Sequence, residues 1–289
     1  MDRTKTIACL TALLLASCSR QPHIVVGSKN FTEQVLLGEI LAQQIERRAG
    51  VPVERKLNLG GTLLAHEALV KGSIDLYPEY TGTALLEVLK QPPLHDRRAG
   101  WERVRQEYQT RWRLVWMPPL GFENTFAMIV RGQTARDTHL ETLSDAARQR
   151  AWRIGAGYEF KQRADGLDGL VKAYNLRLAG DPITMDLGLL YTAIENGKVD
   201  MIAGNSTDGL LSALDLKVLD DDRHYFPPYD CAIVVRQDAL DRFPKLRGAL
   251  EELSGKFSAP EMRKLNYAVD GKHRSVTDVA REALKTKLP

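Results

Sequence analysis

The stretch DLYPEYTG, running from Asp75 to Gly82, sets two tyrosines, a glutamate and a proline on one short segment. Such a segment is either a plain strand end with its turn or one wall of a pocket. The other chemistry-bearing residues bear on that choice. The chain has no His-Glu-x-x-His, no Cys-x-x-Cys, no Gly-x-Ser-x-Gly and no Gly-Lys-Ser/Thr phosphate loop. GNSTDG (Gly204–Gly209) spaces its glycines one residue too far apart for a nucleophile elbow. The six histidines, at 23, 66, 95, 139, 224 and 273, form no pair at ligand spacing, so neither a metal site nor a cofactor is expected. Catalysis would have to be assembled from distant residues such as Glu79 or Asp208. The side chains suit holding a molecule better than transforming one.

The elements that must position these residues alternate short β-rich runs with amphipathic helices, the pattern of an α/β protein with largely parallel sheets. IVVGS (Ile24–Ser28) reads as a strand. KNFTEQVLLGEILAQQIERR reads as a helix with Asn30 as N-cap and Glu33 at the capping-box position, burying Leu37, Ile40, Leu41 and Ile45 on one face. LGGTLLAHEALVKG reads as a second helix, opened by Gly60-Gly61-Thr62 and closed by Gly72.

The chain then says nearly the same thing twice. EALVKGSIDLYPEYTG (67–82) lies over TAIENGKVDMIAGNST (192–207), with Gly72 on Gly197, Asp75 on Asp200 and Tyr80 on Asn205. VVGSKNF is echoed by RIGAGYEF, and FAMIVR (126–131) by CAIVVR (231–236). Any α/β chain repeats helix–glycine–strand units, but three echoes in one order predict two similar lobes. AMIVR and AIVVR are then expected as two hinge strands crossing between lobes. The first lobe is expected over 24–127 plus 236–289, and the second, over 128–235, as an insertion into it. Open α/β sheets bind ligands beyond the carboxyl ends of their strands. YPEYTGT and AGNSTDG are therefore expected to face each other across a cleft.

Bulk properties agree with a secreted binder. The 289 residues are 44% hydrophobic and 27% charged, enough to bury a sizeable core. The net charge of +3 is spread without a basic block, which argues against a nucleic-acid partner. MDRTK followed by TIACLTALLLA reads as a secretory signal, too short an apolar run to span a bilayer. LASC (Leu15–Cys18) resembles a bacterial lipobox. It implies a lipoprotein signal peptide over 1–17, lipidation of Cys18, and a soluble fold held at the membrane surface by acyl chains. With Cys9 removed and Cys18 acylated, only Cys231 remains as a thiol and no internal disulfide is possible.

The motifs GSKNFTEQ, LGGT, GSIDLYPEYTGTAL, GFENTF, YEFKQRADGL, STDG, DDRHYFPPYDCAIVVR and LNYAVD, in this order over residues 24–289, resemble the osmoprotectant substrate-binding proteins of ABC importers. That family binds glycine betaine, choline, carnitine and related quaternary amines. The resemblance implies a two-lobed periplasmic-binding-protein fold (a type II Venus flytrap), no enzymatic activity, and delivery of a solute to a permease and its ATPase by a monomer. It also implies an extracytoplasmic, membrane-anchored location. In the family a cage of aromatic rings holds the trimethylammonium head, which has no N–H and is attracted instead to ring faces. The matching cage positions are Tyr80, Phe126, Asn205 and Tyr229, and those matching the carboxylate clamp are Lys29, Thr83 and Arg163. Two fixed cations in the cleft are expected to favour an anionic group and to disfavour bare choline. Asn205 departs from the pattern, because an amide has no aromatic face. It admits a ligand such as ergothioneine, with a ring nitrogen or hydroxyl to hydrogen-bond.

The same residues have plain structural uses. Lys29 can be a solvated helix-start residue, Arg163 can pair with Asp165 or Glu159 on the surface, and Asn205 can cap a helix beginning near Thr207. Two other classes of function stand beside the importer receptor: a periplasmic enzyme on the same scaffold, and a sensory module presenting a bound ligand.

Overall fold

The computed structural model describes residues 21–288, so the expected signal peptide (1–17) and the lipidation site Cys18 lie outside the described residues. Among the described residues ten strands form two sheets. The first contains β1 (Ile24–Gly27), β2 (Val53–Lys56), β3 (Leu76–Tyr80), β4 (Leu114–Trp116) and β10 (Cys231–Arg236), in the order β2-β1-β3-β10-β4. The second contains β5 (Phe126–Arg131), β6 (Ile154–Ala156), β7 (Ile183–Thr184), β8 (Met201–Asn205) and β9 (Leu216–Leu219), in the order β7-β6-β8-β5-β9. Exchanging β1 for β6, β2 for β7, β3 for β8, β10 for β5 and β4 for β9 turns one order into the other. The repeat in the sequence is a repeat of topology.

Each sheet is mixed rather than largely parallel. The pairs joined by a crossover helix, β1 with β2 and β3, and β6 with β7 and β8, are parallel. β10 runs antiparallel to β3 and β4, and β5 antiparallel to β8 and β9. The reason is connectivity: β5 and β10 each arrive from the other sheet, and no crossover helix constrains their direction. The two strands expected to cross between lobes thus each lie wholly inside one sheet. The chain passes between sheets just before them, where Glu123 and Asp230 form an isolated antiparallel bridge. The Asn124 N–H donates to the Tyr229 carbonyl (3.1 Å) and the Cys231 N–H to that of Phe122 (3.0 Å).

Both faces of each sheet are covered. Along β5, Met128 and Val130 enter one core cluster while Ala127 and Ile129 enter another, the alternation expected of a pleated strand with helices on both sides. The helix Thr32–Ala49 buries Leu36, Leu37, Ile40, Leu41 and Ile45 and stops at Gly50, whose φ of 69° is left-handed. The helix Thr62–Val70 ends as its sequence suggests, with Gly72 at φ 73°, and its counterpart Leu187–Glu195 ends at Gly197 with φ 65°.

The repeated polar residues do the same work in each lobe. The Val25 N–H donates to Asp75 (2.7 Å) and the Arg153 N–H to Asp200 (3.3 Å), so each aspartate ties its strand to the neighbouring parallel one. Arg236 donates to the carbonyls of Leu69 (2.9 Å) and Val70 (3.1 Å). Arg131 donates to those of Ile194 and Val199 (both 2.9 Å). In both lobes an arginine at a strand end donates to carbonyls at and just beyond the end of the closing helix.

Candidate ligand-binding cleft

Six of the seven nominated residues come together where the carboxyl ends of β3 and β8 meet the crossing segments. Tyr80 ends β3, and the turn Thr81–Thr83 follows it directly. Lys29 sits between β1 and its helix with its Nζ 4.8 Å from the centre of the Tyr80 ring. Phe126 opens β5, and the Arg163 guanidinium lies 5.1 Å from its ring centre. Phe126 also meets Phe160 at 4.6 Å, Phe226 at 6.0 Å and Tyr229 at 6.1 Å between ring centres. Arg163 reaches across the lobes to the Thr83 hydroxyl at 3.4 Å. Gly82 makes this closeness possible, since a Cβ there would lie 2.6 Å from the Tyr229 ring and 2.9 Å from the Pro228 carbonyl. Asn205 stands apart from these contacts as the ladder partner of Phe126. It caps no helix; its amide donates to Asp208 at 3.3 Å.

The electrostatics differ from the expectation that two fixed cations set the charge of the cleft. Lys29 is buried and donates to Glu79 at 2.6 Å and to Thr62 at 3.3 Å, so it is not a solvated helix-start residue. Arg163 is also buried rather than on the surface. It makes a two-pronged pair with Asp165 (2.8 and 2.6 Å) and a longer contact with Glu159 (3.4 Å). A buried cation needs a counter-charge, and the chain supplies one to each. Burial alone would depress Arg163, but Asp165 outweighs it and the guanidinium stays charged. With Glu79, Glu159 and Asp165 around Lys29 and Arg163, three carboxyl groups face two cations. The field therefore suits a cationic group better than the sequence suggested.

Glu33 is the residue that sequence reasoning misplaced. Its helix begins at Thr32 with Phe31 at the N-cap and no side-chain cap, so neither Asn30 nor Glu33 forms the expected capping box. The Glu33 carboxyl instead accepts from the Tyr80 hydroxyl (2.7 Å), Asn124 (2.9 Å) and Asn266 (3.3 Å). Burial pushes its pKa up, against the pull of those donors. Asn266 also donates to the Thr207 carbonyl at 2.8 Å, joining the helix Ala259–Asp270 to the second lobe. Beside it the lobes touch backbone to backbone: a Cβ on Gly209 would lie 2.3 Å from the Tyr267 nitrogen. The usable signal for these residues lay in GFENTF and LNYAVD, which carry Asn124 and Asn266.

The tyrosines remain phenols. Burial, reinforced by Glu33, raises Tyr80, and burial with Asp165 raises Tyr229, whose hydroxyl hydrogen-bonds Asp165. Each keeps a neutral ring, with its hydroxyl donating a hydrogen bond to a carboxyl group. Beside Asp165 a cavity of about 350 Å³ opens between Leu86, Gln91 and Pro92 of one lobe, Ala164 of the other, and Tyr225 and Pro227 of a crossing segment. Among the described residues no group of acidic, histidine or cysteine side chains could hold a metal, and no helix is long and apolar enough to cross a membrane.

Comparison with known proteins joins these observations to a family. The carnitine transport binding protein of Listeria monocytogenes is 34% identical over 286 residues, covering 95% of this chain and 92% of the relative. An ergothioneine transport permease/binding protein of Helicobacter pylori is 35% identical over 275 residues, which cover 94% of this chain but 49% of that longer protein. A crystal structure described as a glycine betaine/carnitine/choline ABC transporter superposes with a TM-score of 0.77 at 33% identity, covering 91% of this chain and 98% of that one. Residues 22–286 match the family described as the substrate binding domain of ABC-type glycine betaine transport systems, and the chain belongs to that family of transport substrate-binding proteins.

Proposed function

We propose that this importer subunit binds a betaine-type zwitterion between its lobes, with the cationic head against Tyr80, Phe126 and Tyr229 and the carboxylate on Lys29, Thr83 and Arg163. One observation carries the reading: two of the nominated ring faces already lie against buried cations, Tyr80 under Lys29 and Phe126 under Arg163. A ring face that attracts a guanidinium or an ammonium attracts a quaternary ammonium by the same quadrupole field. Such a ligand competes with the chain's own ion pairs. Its carboxylate takes over Arg163 from Asp165, and its head takes the ring. Titration calorimetry against glycine betaine, choline, carnitine and ergothioneine tests this. Saturable binding without turnover supports it; chemical conversion of any of them points to an enzyme, and no binding by all four rejects it.

Asn205 favours a second reading of the ligand, a zwitterion with an additional polar group such as ergothioneine. The amide offers hydrogen bonds where Tyr80 offers a ring. The crossing segments around Glu123 and Asp230 are the natural hinge, so the moving bodies divide there and β10 travels with the first lobe. Anchoring through Cys18 follows from LASC. Cys18→Ala should move the protein from the membrane to the soluble extracytoplasmic fraction, and a variant that stays with the membrane would reject the anchor. Permease and ATPase subunits are the expected partners of the monomer.

A further inference from the structure

Asp208 gathers three donors. The Tyr191 hydroxyl donates to it at 2.7 Å, the Asn205 backbone N–H at 2.8 Å and the Asn205 side-chain NH2 at 3.3 Å. Burial pushes the Asp208 carboxyl up against the pull of these donors, and the Asn205 amide turns its NH2 toward it. Its carbonyl oxygen then points the other way. Asn205 is directly opposite Phe126 in the antiparallel ladder, and opposite residues share a face of the sheet. Phe126 is the ring that carries the Arg163 guanidinium. The amide oxygen therefore belongs to the ring-lined side of the strand end, where the equivalent residue of the first lobe is Tyr80.

We propose that Asp208 is a positioning residue that presents the Asn205 carbonyl oxygen to the ligand, so that the site selects ammonium zwitterions carrying an N–H or O–H donor. This rests on the reading of the cleft as a quaternary-ammonium site. A trimethylammonium group has no donor to give that oxygen. A ligand lacking one leaves it desolvated and unpaired, and sites built to hydrogen-bond a ligand discriminate strongly against analogues without the matching group.

The test is calorimetry with two matched pairs of ligands: carnitine against 4-(trimethylammonio)butanoate, which lacks only its hydroxyl, and ergothioneine against its ring-N-methylated derivative. The expected result is about tenfold tighter binding of the donor-bearing member of at least one pair. The pair that responds tells a hydroxyl from a ring N–H. Asp208→Asn frees the amide to turn either way and should bring the ratio within about twofold, with Asp208→Glu restoring part of the preference. A purely structural role would weaken both members alike. Should Asp208→Asn not fold, Asn205→Leu must abolish the same preference. Equal affinities within both pairs, or a preference that survives Asn205→Leu, overturn this inference and leave the quaternary-amine reading standing. No binding of any of the four overturns both.

Discussion

The two lobes share one strand order and one set of buried polar ties, yet they end differently at the cleft. Asp75 and Asp200 hold equivalent strand pairs, and Arg236 and Arg131 satisfy equivalent helix carbonyls. At the strand ends the match stops. β3 closes on Tyr80, whose ring lies under Lys29 and whose hydroxyl is held by Glu33. β8 closes on Asn205, whose amide is held by Asp208. Where the lobes agree, residues build the sheets; under the proposed function, the ends where they differ are the part that a ligand reads.

The largest expected effect breaks the agreement itself. Asp200→Ala leaves Arg131, Arg150 and Arg153 without their shared acceptor, and Asp75→Ala does the same to Arg242. Breaking a fully buried pair costs about 3–5 kcal/mol; because these arginines keep contact with water, each substitution should cost about 2–3 kcal/mol in a urea titration. Equal losses confirm equivalent roles, and a loss at one site only would show that the repeat is geometric without being energetic.

Next in size is the clamp. Arg163→Ala should weaken a carboxylate-bearing ligand by about 1.5–3 kcal/mol, read as dissociation constants by calorimetry. Unchanged affinity would remove Arg163 from the clamp and leave it as the partner of Asp165. Asn205→Tyr restores at the second lobe the residue type of the first. It should improve binding of glycine betaine by about 0.5–2 kcal/mol, the worth of one ring face to a cation. Loss of all binding would instead make the amide an essential polar contact.

The smallest effect separates the lobes by pH. His66 of the first lobe corresponds to Tyr191 of the second, and its Nδ1 is buried without a hydrogen-bond partner. Burial lowers its pKa from 6.5 to about 4. A histidine depressed on folding stabilises fully above its unfolded pKa, and that stability is lost as pH falls from 6.5 toward 4. Roughly 0.5–1 kcal/mol should go between pH 7 and pH 6. Melting temperatures of the protein and of His66→Phe across that range check it: the variant should lose this part of the slope, and parallel curves would acquit His66.

Much of the architecture was legible because it repeats. Gly72 and Gly197, Asp75 and Asp200, and the paired IVVR and MIVR endings recur with the same chemistry, and only a duplicated scaffold demands that. The seven nominated cleft residues were read from motif resemblance, and six of them lie in one place in the fold. Glu33 was not. Ser/Thr/Asn followed by Glu before an apolar run is a local pattern, whereas its actual partners are Tyr80, Asn124 and Asn266, which only folding brings near. The counter-charges were equally hidden. Asp165 was in view as a possible partner of Arg163, but that the pair is buried is a statement about what lies over it.

The amino-acid order alone determined the alternation of strand and helix, the duplication, the family and the side chains available to a ligand, because periodicity, glycine stops and motif spacing are local properties of the chain. Only the tertiary structure decided which sheet each crossing strand joins, that Lys29 and Arg163 are buried in ion pairs, and that the Asn205 amide turns toward Asp208. Those outcomes depend on burial and on partners far away in the chain. A charge's surroundings, unlike its identity, exist only once the fold has closed around it.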